Sequence, residues 1–178
     1  LGDVYKRQTK LWMVGHQTDD MFLYNLTTAW DLSTASYSST TYDFSSATGI
    51  PTGITWNADG TKLYMCEQNY NYVYQYNAST GYDITTLSSS TSFGPTNSYE
   101  TQLEGVAISA DGKKIFVTVG SSDKVHEYSL PTAFSLTGAT YVQAFDVSGQ
   151  TNVPTDVQFT PDGAYMYVTS SIQGIWQY

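Results

Sequence analysis

Residues 51–80 read PTGITWNADGTKLYMCEQNYNYVYQYNAST, and this stretch decides the fold because it comes back. Residues 103–132 read LEGVAISADGKKIFVTVGSSDKVHEYSLPT, and residues 154–178 read PTDVQFTPDGAYMYVTSSIQGIWQY. The turn pairs Asp59-Gly60, Asp111-Gly112 and Asp162-Gly163 stand 52 and 51 residues apart, and Tyr76 and Tyr128 stand 52 apart. Self-similarity at a fixed period of this size marks an array of stacked supersecondary units.

The pattern inside each unit selects the array. GITWN, GVAIS and DVQFT are short segments rich in β-branched and aromatic residues, each followed by an Asp-Gly turn. Gly accepts the positive φ that such a turn needs, and Asp hydrogen-bonds its own turn backbone. A second strand follows (KLYMCEQ, KIFVTVG, YMYVTS), then a turn with Asn71, Asp123 and Gln173 in equivalent places. A third strand reads YVYQYN, KVHEYS and GIWQY, and a Ser/Thr-rich connection leads to a fourth such as ATYVQAFDV. No helical apolar stripe is present. Four antiparallel strands per unit of about 52 residues predict an all-β fold, a β-propeller of four-stranded blades. Alternate third-strand positions, Phe22/Tyr24, Tyr74/Tyr76, His126/Tyr128 and Trp176/Tyr178, put an aromatic face where blades stack.

Applied backwards, the period aligns Lys10-Leu11-Trp12 with Lys62-Leu63-Tyr64, and places an Asp-Gly turn where Arg7-Gln8 stand. DVYKRQ reverse-translates to GAT GTG TAT AAG AGA CAG, which resembles a transposase adaptor used in sequencing libraries. Residues 1–8 are therefore expected to be adaptor, with a natural non-repeat cap as the alternative. The remainder is expected to be a propeller fragment, as from mixed environmental DNA. Its blade parts are 9–50, 51–102, 103–153 and 154–178, two complete and two partial, with open edges inclined to self-associate.

A formal charge of −9, with no Lys/Arg cluster, argues against nucleic acid or anionic membranes as partners. No apolar run approaches the roughly 20 residues of a membrane span. The single Cys66 excludes an internal disulfide and reads as a buried, inert thiol. The 20 Ser, 25 Thr and 16 Tyr beside few Lys suit an extracellular, cell-surface or virion protein.

Catalytic signatures such as G-x-S-x-G, H-E-x-x-H, an EF-hand loop or a phosphate loop do not occur. His126 occupies a packing position, and His16 falls near the second turn. Asp59, Asp111 and Asp162, with Gly60, Gly112 and Gly163, read as turn chemistry rather than calcium ligands. At the starts of the innermost strands stand Thr52-Gly53, Glu104-Gly105 and Thr155-Asp156. Glu104 and Asp156 are the candidates for a Ca²⁺ site or for acid–base work, against a favoured reading as solvated rim carboxylates. No other cofactor is expected. Trp30, Tyr70 and Tyr72 are candidate contacts for a glycan or protein partner, with edge packing as the alternative.

The pattern P-x-G-[IV]-x-[FW]-x-x-D-G-x-x-[LIM]-Y-[VM], best seen beside TPDGAYMYVTSS, resembles YVTN and lactonase-like β-propeller repeats. The connections AWDLSTASY, YDITTLSSS and AFSLTGATY resemble repeats of marine bacterial and phage propeller proteins. The resemblance implies a propeller over residues 9–178, and its motifs are structural. It leaves two functional expectations. The favoured one is a non-enzymatic scaffold binding a protein or glycan. The alternative is a lactonase-like or gluconolactonase-like hydrolase with its site at the central channel, where such propellers hold their metal.

Overall fold

The computed structural model describes residues 9–15, 17–46, 50–94, 101–172 and 174–178. The adaptor reading of residues 1–8, the loop placement of His16 and the turn role of Gln173 lie outside the described residues. Among the described residues fourteen strands form four antiparallel sheets, each a meander in which sequence neighbours pair. The first sheet holds β1 (Lys10–Gly15), β2 (Asp20–Leu26) and β3 (Ala35–Asp43). The second holds β4 (Pro51–Trp56), β5 (Lys62–Glu67), β6 (Val73–Ala78) and β7 (Leu87–Phe93). The third holds β8 (Leu103–Ile108), β9 (Lys114–Val119), β10 (Lys124–Ser129) and β11 (Thr140–Asp146). The fourth holds β12 (Pro154–Phe159), β13 (Met166–Ser170) and β14 (Gly174–Gln177). This is the expected propeller fragment, with β4, β8 and β12 side by side as inner strands.

The core lies between sheets. Met21, Leu23 and Phe44 of the first sheet pack with Leu63, Met65, Tyr76 and Ile84 of the second. Tyr64, Cys66 and Val73 of the second pack with Leu103, Val106, Ile115 and Tyr128 of the third. Val125 and Val147 of the third pack with Val157 and Val168 of the fourth. Each blade is therefore stable only against its neighbours.

One contact repeats at every interface. A Tyr at the third strand of one sheet meets an aromatic from the last strand of the sheet before it, edge to face. Tyr42–Tyr76 centroids lie 5.6 Å apart at 76°, Phe93–Tyr128 5.0 Å at 63°, and Phe145–Tyr178 5.1 Å at 75°. This is the geometry aromatic quadrupoles favour. Two of these tyrosines have a register shift beside them, at Gln75/Tyr76 and Glu127/Tyr128. Such a shift adds local twist, which turns the ring towards the neighbouring blade.

The connection after the third strand is a second repeated device. Trp30, Tyr82 and Phe134 all have left-handed φ, 65°, 61° and 60°. The Tyr82 N–H donates to the Gly60 carbonyl at 2.9 Å, and the Phe134 N–H to that of Gly112 at 2.8 Å. Both rings lie so close over the turn glycine that a Cβ there would fall among the ring atoms. Asp31 and Asp83 then accept the N–H groups of Ser33 and Thr85, both at 3.0 Å, capping a single 3-10 turn. The Asp-Gly pair is thus also the platform for an aromatic residue some 22 positions later.

Tyr128→Ala removes a buried ring from a blade interface and should destabilise the chain by about 3–5 kcal/mol. Tyr141→Ala, on a ring half exposed in β11, should cost less than about 1 kcal/mol. Urea unfolding of the two variants measures the difference.

Candidate functional site

The inner strands share an irregularity at their starts. Their pairing jumps from Pro51 to Gly53, from Leu103 to Gly105 and from Pro154 to Asp156. Thr52, Glu104 and Thr155 are the extra residues of three bulges, a device that frees a side chain from the ladder and re-aims it. Thr52 Oγ1 donates across to the Leu103 carbonyl at 2.7 Å. Thr155 Oγ1 stays within its blade, 2.9 Å from Thr169 Oγ1. Glu104 Oε1 accepts from Gln68 Nε2 of the preceding blade at 2.9 Å.

Glycine lets these strands crowd together. A Cβ on Gly105 would stand 2.5 Å from both Cα and Oδ1 of Asp156, and one on Gly53 would stand 2.8 Å from the Glu104 carbonyl oxygen. The Asp156 carboxyl therefore lies against the backbone next to Glu104. Their one-position offset in the repeat means that Glu104 sits in its bulge while Asp156 sits just beyond its own. The two carboxylates come from adjacent blades to the same end of the inner strands. That end also carries the loops after the second and fourth strands.

Burial raises the Asp156 pKa above the usual carboxylate range, and the Val157 N–H and the Gln158 side chain offset only part of the rise. Cys66, behind the same strands, is fully buried. Burial pushes its thiol up to about 12, and the Asp156 and Glu104 charges add to the rise. A thiol held protonated in this way is not a nucleophile. Among the described residues no group of three or more His, Cys, Asp or Glu is placed to hold a metal ion. Glu104 and Asp156 offer hard oxygen ligands, but two fall short of the about six to eight that Ca²⁺ takes. The described donors alone do not make up a metal site.

The Asp-Gly turns lie at the opposite end of the inner strands. Oδ1 of Asp59, Asp111 and Asp162 accepts the N–H of Thr61, Lys113 and Ala164 at 2.8, 2.9 and 3.0 Å. Gly60, Gly112 and Gly163 follow at φ 70°, 69° and 71°. A cleft of about 600 Å³ opens at this end, lined by Trp56, Ile108, Phe116 and Phe159, away from Glu104 and Asp156. His126 is buried, its ring edge-on to Tyr141 at 5.5 Å, in a packing role.

The exposed aromatics do not form one surface. Trp30, 77% exposed, belongs to the Asp-Gly end, whereas Tyr70 and Tyr72, 64% and 40% exposed, stand at the Glu104 end. Their turn is built on Glu67, a buried carboxylate that gave no sequence signal. Its oxygens accept the N–H groups of Asn69 (2.8 Å), Tyr70 (2.9 Å) and Tyr72 (3.1 Å). The turn is tied to the next blade by Asn71, φ 60°, whose Oδ1 accepts the Gln102 N–H at 2.7 Å.

Residues 27–172 match a family model described as the SMP-30/Gluconolactonase/LRE-like region. No curated protein matches the sequence. Among solved structures, a putative 6-phosphogluconolactonase from Bacteroides fragilis superposes with TM-score 0.66 and 17% identity, over 91% of this chain and 44% of that one. The periplasmic gluconolactonase PpgL of Pseudomonas aeruginosa gives 0.59 and 14%, over 91% and 44%. The β-propeller domain of Myceliophteria thermophila Cps50 (Swd1) gives 0.59 and 13%, over 94% and 49%. At these identities the likeness is one of fold. The chain spans about half the length of the structures it matches.

Gly105→Ala drives a methyl group into the Asp156 backbone and should cost about 1–3 kcal/mol, read from chemical denaturation. Asp156 binds its proton more tightly folded than unfolded, so its contribution to stability falls as pH rises through that raised pKa. Asp156→Asn should accordingly melt above the parent at pH 7, and the gap should close near pH 4. Thermal unfolding at the two pH values measures it. Glu67→Ala strands three backbone donors and should cost about 2 kcal/mol or more.

Proposed function

This chain belongs to the SMP-30/gluconolactonase/LRE-like family, and on that premise we propose that it is part of a hydrolase acting on a lactone at the channel mouth of the propeller. The observation that carries this reading is that Glu104, in its bulge, and Asp156, just beyond the next, stand on adjacent inner strands at one end of the channel. Among the two expectations from sequence, the family match supports the hydrolase over the scaffold.

Opening a lactone requires water to add to the carbonyl carbon and the ring C–O bond to break. One proton leaves the water and one reaches the departing alkoxide. Two carboxyl groups in unlike surroundings suit these two transfers. Asp156, its pKa raised by burial, is the group that donates to the alkoxide. Glu104, held by Gln68, takes the proton from water. Tyr70 and Tyr72, at the same end, offer faces on which a sugar-derived ring stacks.

The scaffold reading keeps one observation of its own. Glu67 spends a buried carboxylate on fixing a turn whose outward residues are Tyr70 and Tyr72, which suits display to a protein or glycan partner. A secreted, cell-surface or virion setting belongs to that reading.

Hydrolysis of five- and six-membered aldonolactones, followed by pH-stat, separates the two. The hydrolase reading expects turnover above the uncatalysed rate that falls by about 10²-fold or more in Asp156→Asn and in Glu104→Gln. A chain without lactone turnover that binds glycan or protein through Tyr70 and Tyr72 returns the scaffold reading.

A further inference from the structure

One place in the second strand repeats from blade to blade. The period puts Val14, Cys66, Thr118 and Thr169 there. Cys66, Thr118 and Thr169 stand opposite Gly53, Gly105 and Asp156 of the inner strands. In the second sheet the bulge residue reaches this place, with Thr52 Oγ1 3.5 Å from Cys66 Sγ. In the fourth sheet Thr155 Oγ1 lies 2.9 Å from Thr169 Oγ1. In the third sheet the bulge residue is Glu104, whose Oε1 accepts from Gln68 of the preceding blade at 2.9 Å. Thr118 is 0% exposed, between the equally buried Val117 and Val119, and its Oγ1 has no hydrogen-bond partner among the described residues. A buried hydroxyl without a partner costs stability, yet the first sheet fills the same place with valine.

The group set against Thr118 comes from the next blade. Directly opposed residues of a ladder point to the same side of the sheet, with Cβ atoms about 5 Å apart. Gly105 opposes Thr118 and has no Cβ, and the position one would take lies 2.5 Å from Asp156 Oδ1. The Asp156 carboxyl therefore stands where the side chain facing Thr118 would otherwise begin. Rotation of the Thr118 hydroxyl about χ1 closes the remaining gap to hydrogen-bond length. A hydroxyl both donates and accepts, so it serves a carboxyl group with or without its proton.

We infer that Thr118 is the positioning residue of Asp156: its hydroxyl holds the carboxyl over Gly105, accepting from the acid and donating to the carboxylate once the proton has left. The proton that Asp156 gives up goes to the departing alkoxide, and the Thr118 proton stays on its own oxygen. The kinetic consequence rests on the hydrolase reading, whereas the contact rests on geometry alone.

A double-mutant cycle, read by thermal unfolding of the full chain at pH 7, tests the contact. Thr118→Val should lower Tm by about 2 °C or more in the parent. In an Asp156→Ala background the same change should leave Tm unmoved or raise it, because the hydroxyl has already lost its partner. Equal shifts in the two backgrounds, or a rise in the parent, would overturn the inference. Lactone turnover gives a second readout. Thr118→Val should lower kcat about 5-fold or more with KM within about 2-fold, and Thr118→Ser, which keeps the hydroxyl, should hold kcat within about 2-fold of the parent. An unchanged kcat in Thr118→Val also overturns it. A parent chain without lactone turnover removes the hydrolase reading, and the thermal cycle then decides the inference by its own two outcomes.

Discussion

The fold depends on one edge-to-face contact made three times. A Tyr late in the third strand of one blade meets an aromatic ring of the fourth strand of the blade before it, with centroids 5.0–5.6 Å apart. Each sheet is a simple meander, and its own hydrogen bonds say nothing about its neighbours. What sets the distance and angle between blades is a large flat side chain in a wedge-shaped gap. The apolar clusters gather around these contacts, so stability belongs to the interfaces rather than to any single sheet.

That constraint also sets the inner strands against one another. Holding the blades at close spacing brings β4, β8 and β12 side by side, and only glycine permits the approach at Gly53 and Gly105. The strands then bulge, and the bulge frees Glu104 from the ladder while Asp156 is laid over Gly105. The placement of these two carboxylates is thus a product of packing. Its electrostatics follow from the same crowding, because burial is the leading reason that Asp156 resists ionisation. Burying that carboxyl costs local stability at neutral pH.

Some features were legible and others were not, for identifiable reasons. The Asp-Gly pairs and the third-strand aromatics recur at a fixed period, so turn, strand and blade could be read from a single chain. Glu104 and Asp156 stood out because they break a run of small residues at the inner-strand starts. Their mutual placement was hidden, since a bulge shifts register by one residue and leaves no mark in composition. Glu67 was invisible as well: an acidic residue at a strand end looks solvated until the turn folds back over it. Trp30, Tyr70 and Tyr72 looked alike as loop aromatics, yet strand direction sends Trp30 to one end of the sheets and the two tyrosines to the other.

By itself the sequence determined the class of fold, because period, turn chemistry and alternation are local properties repeated often enough to exceed chance. Tertiary structure alone decided which side chains meet across blades, as in the Tyr–aromatic pairs, and which end of the inner strands receives both Glu104 and Asp156. The reason is distance along the chain. Tyr64 and Phe134 are joined by a hydrogen bond across 70 residues, and Gln75 and Leu136 across 61. Such partners are chosen by how sheets stack, and stacking is settled only when twist, bulge and ring volume act together.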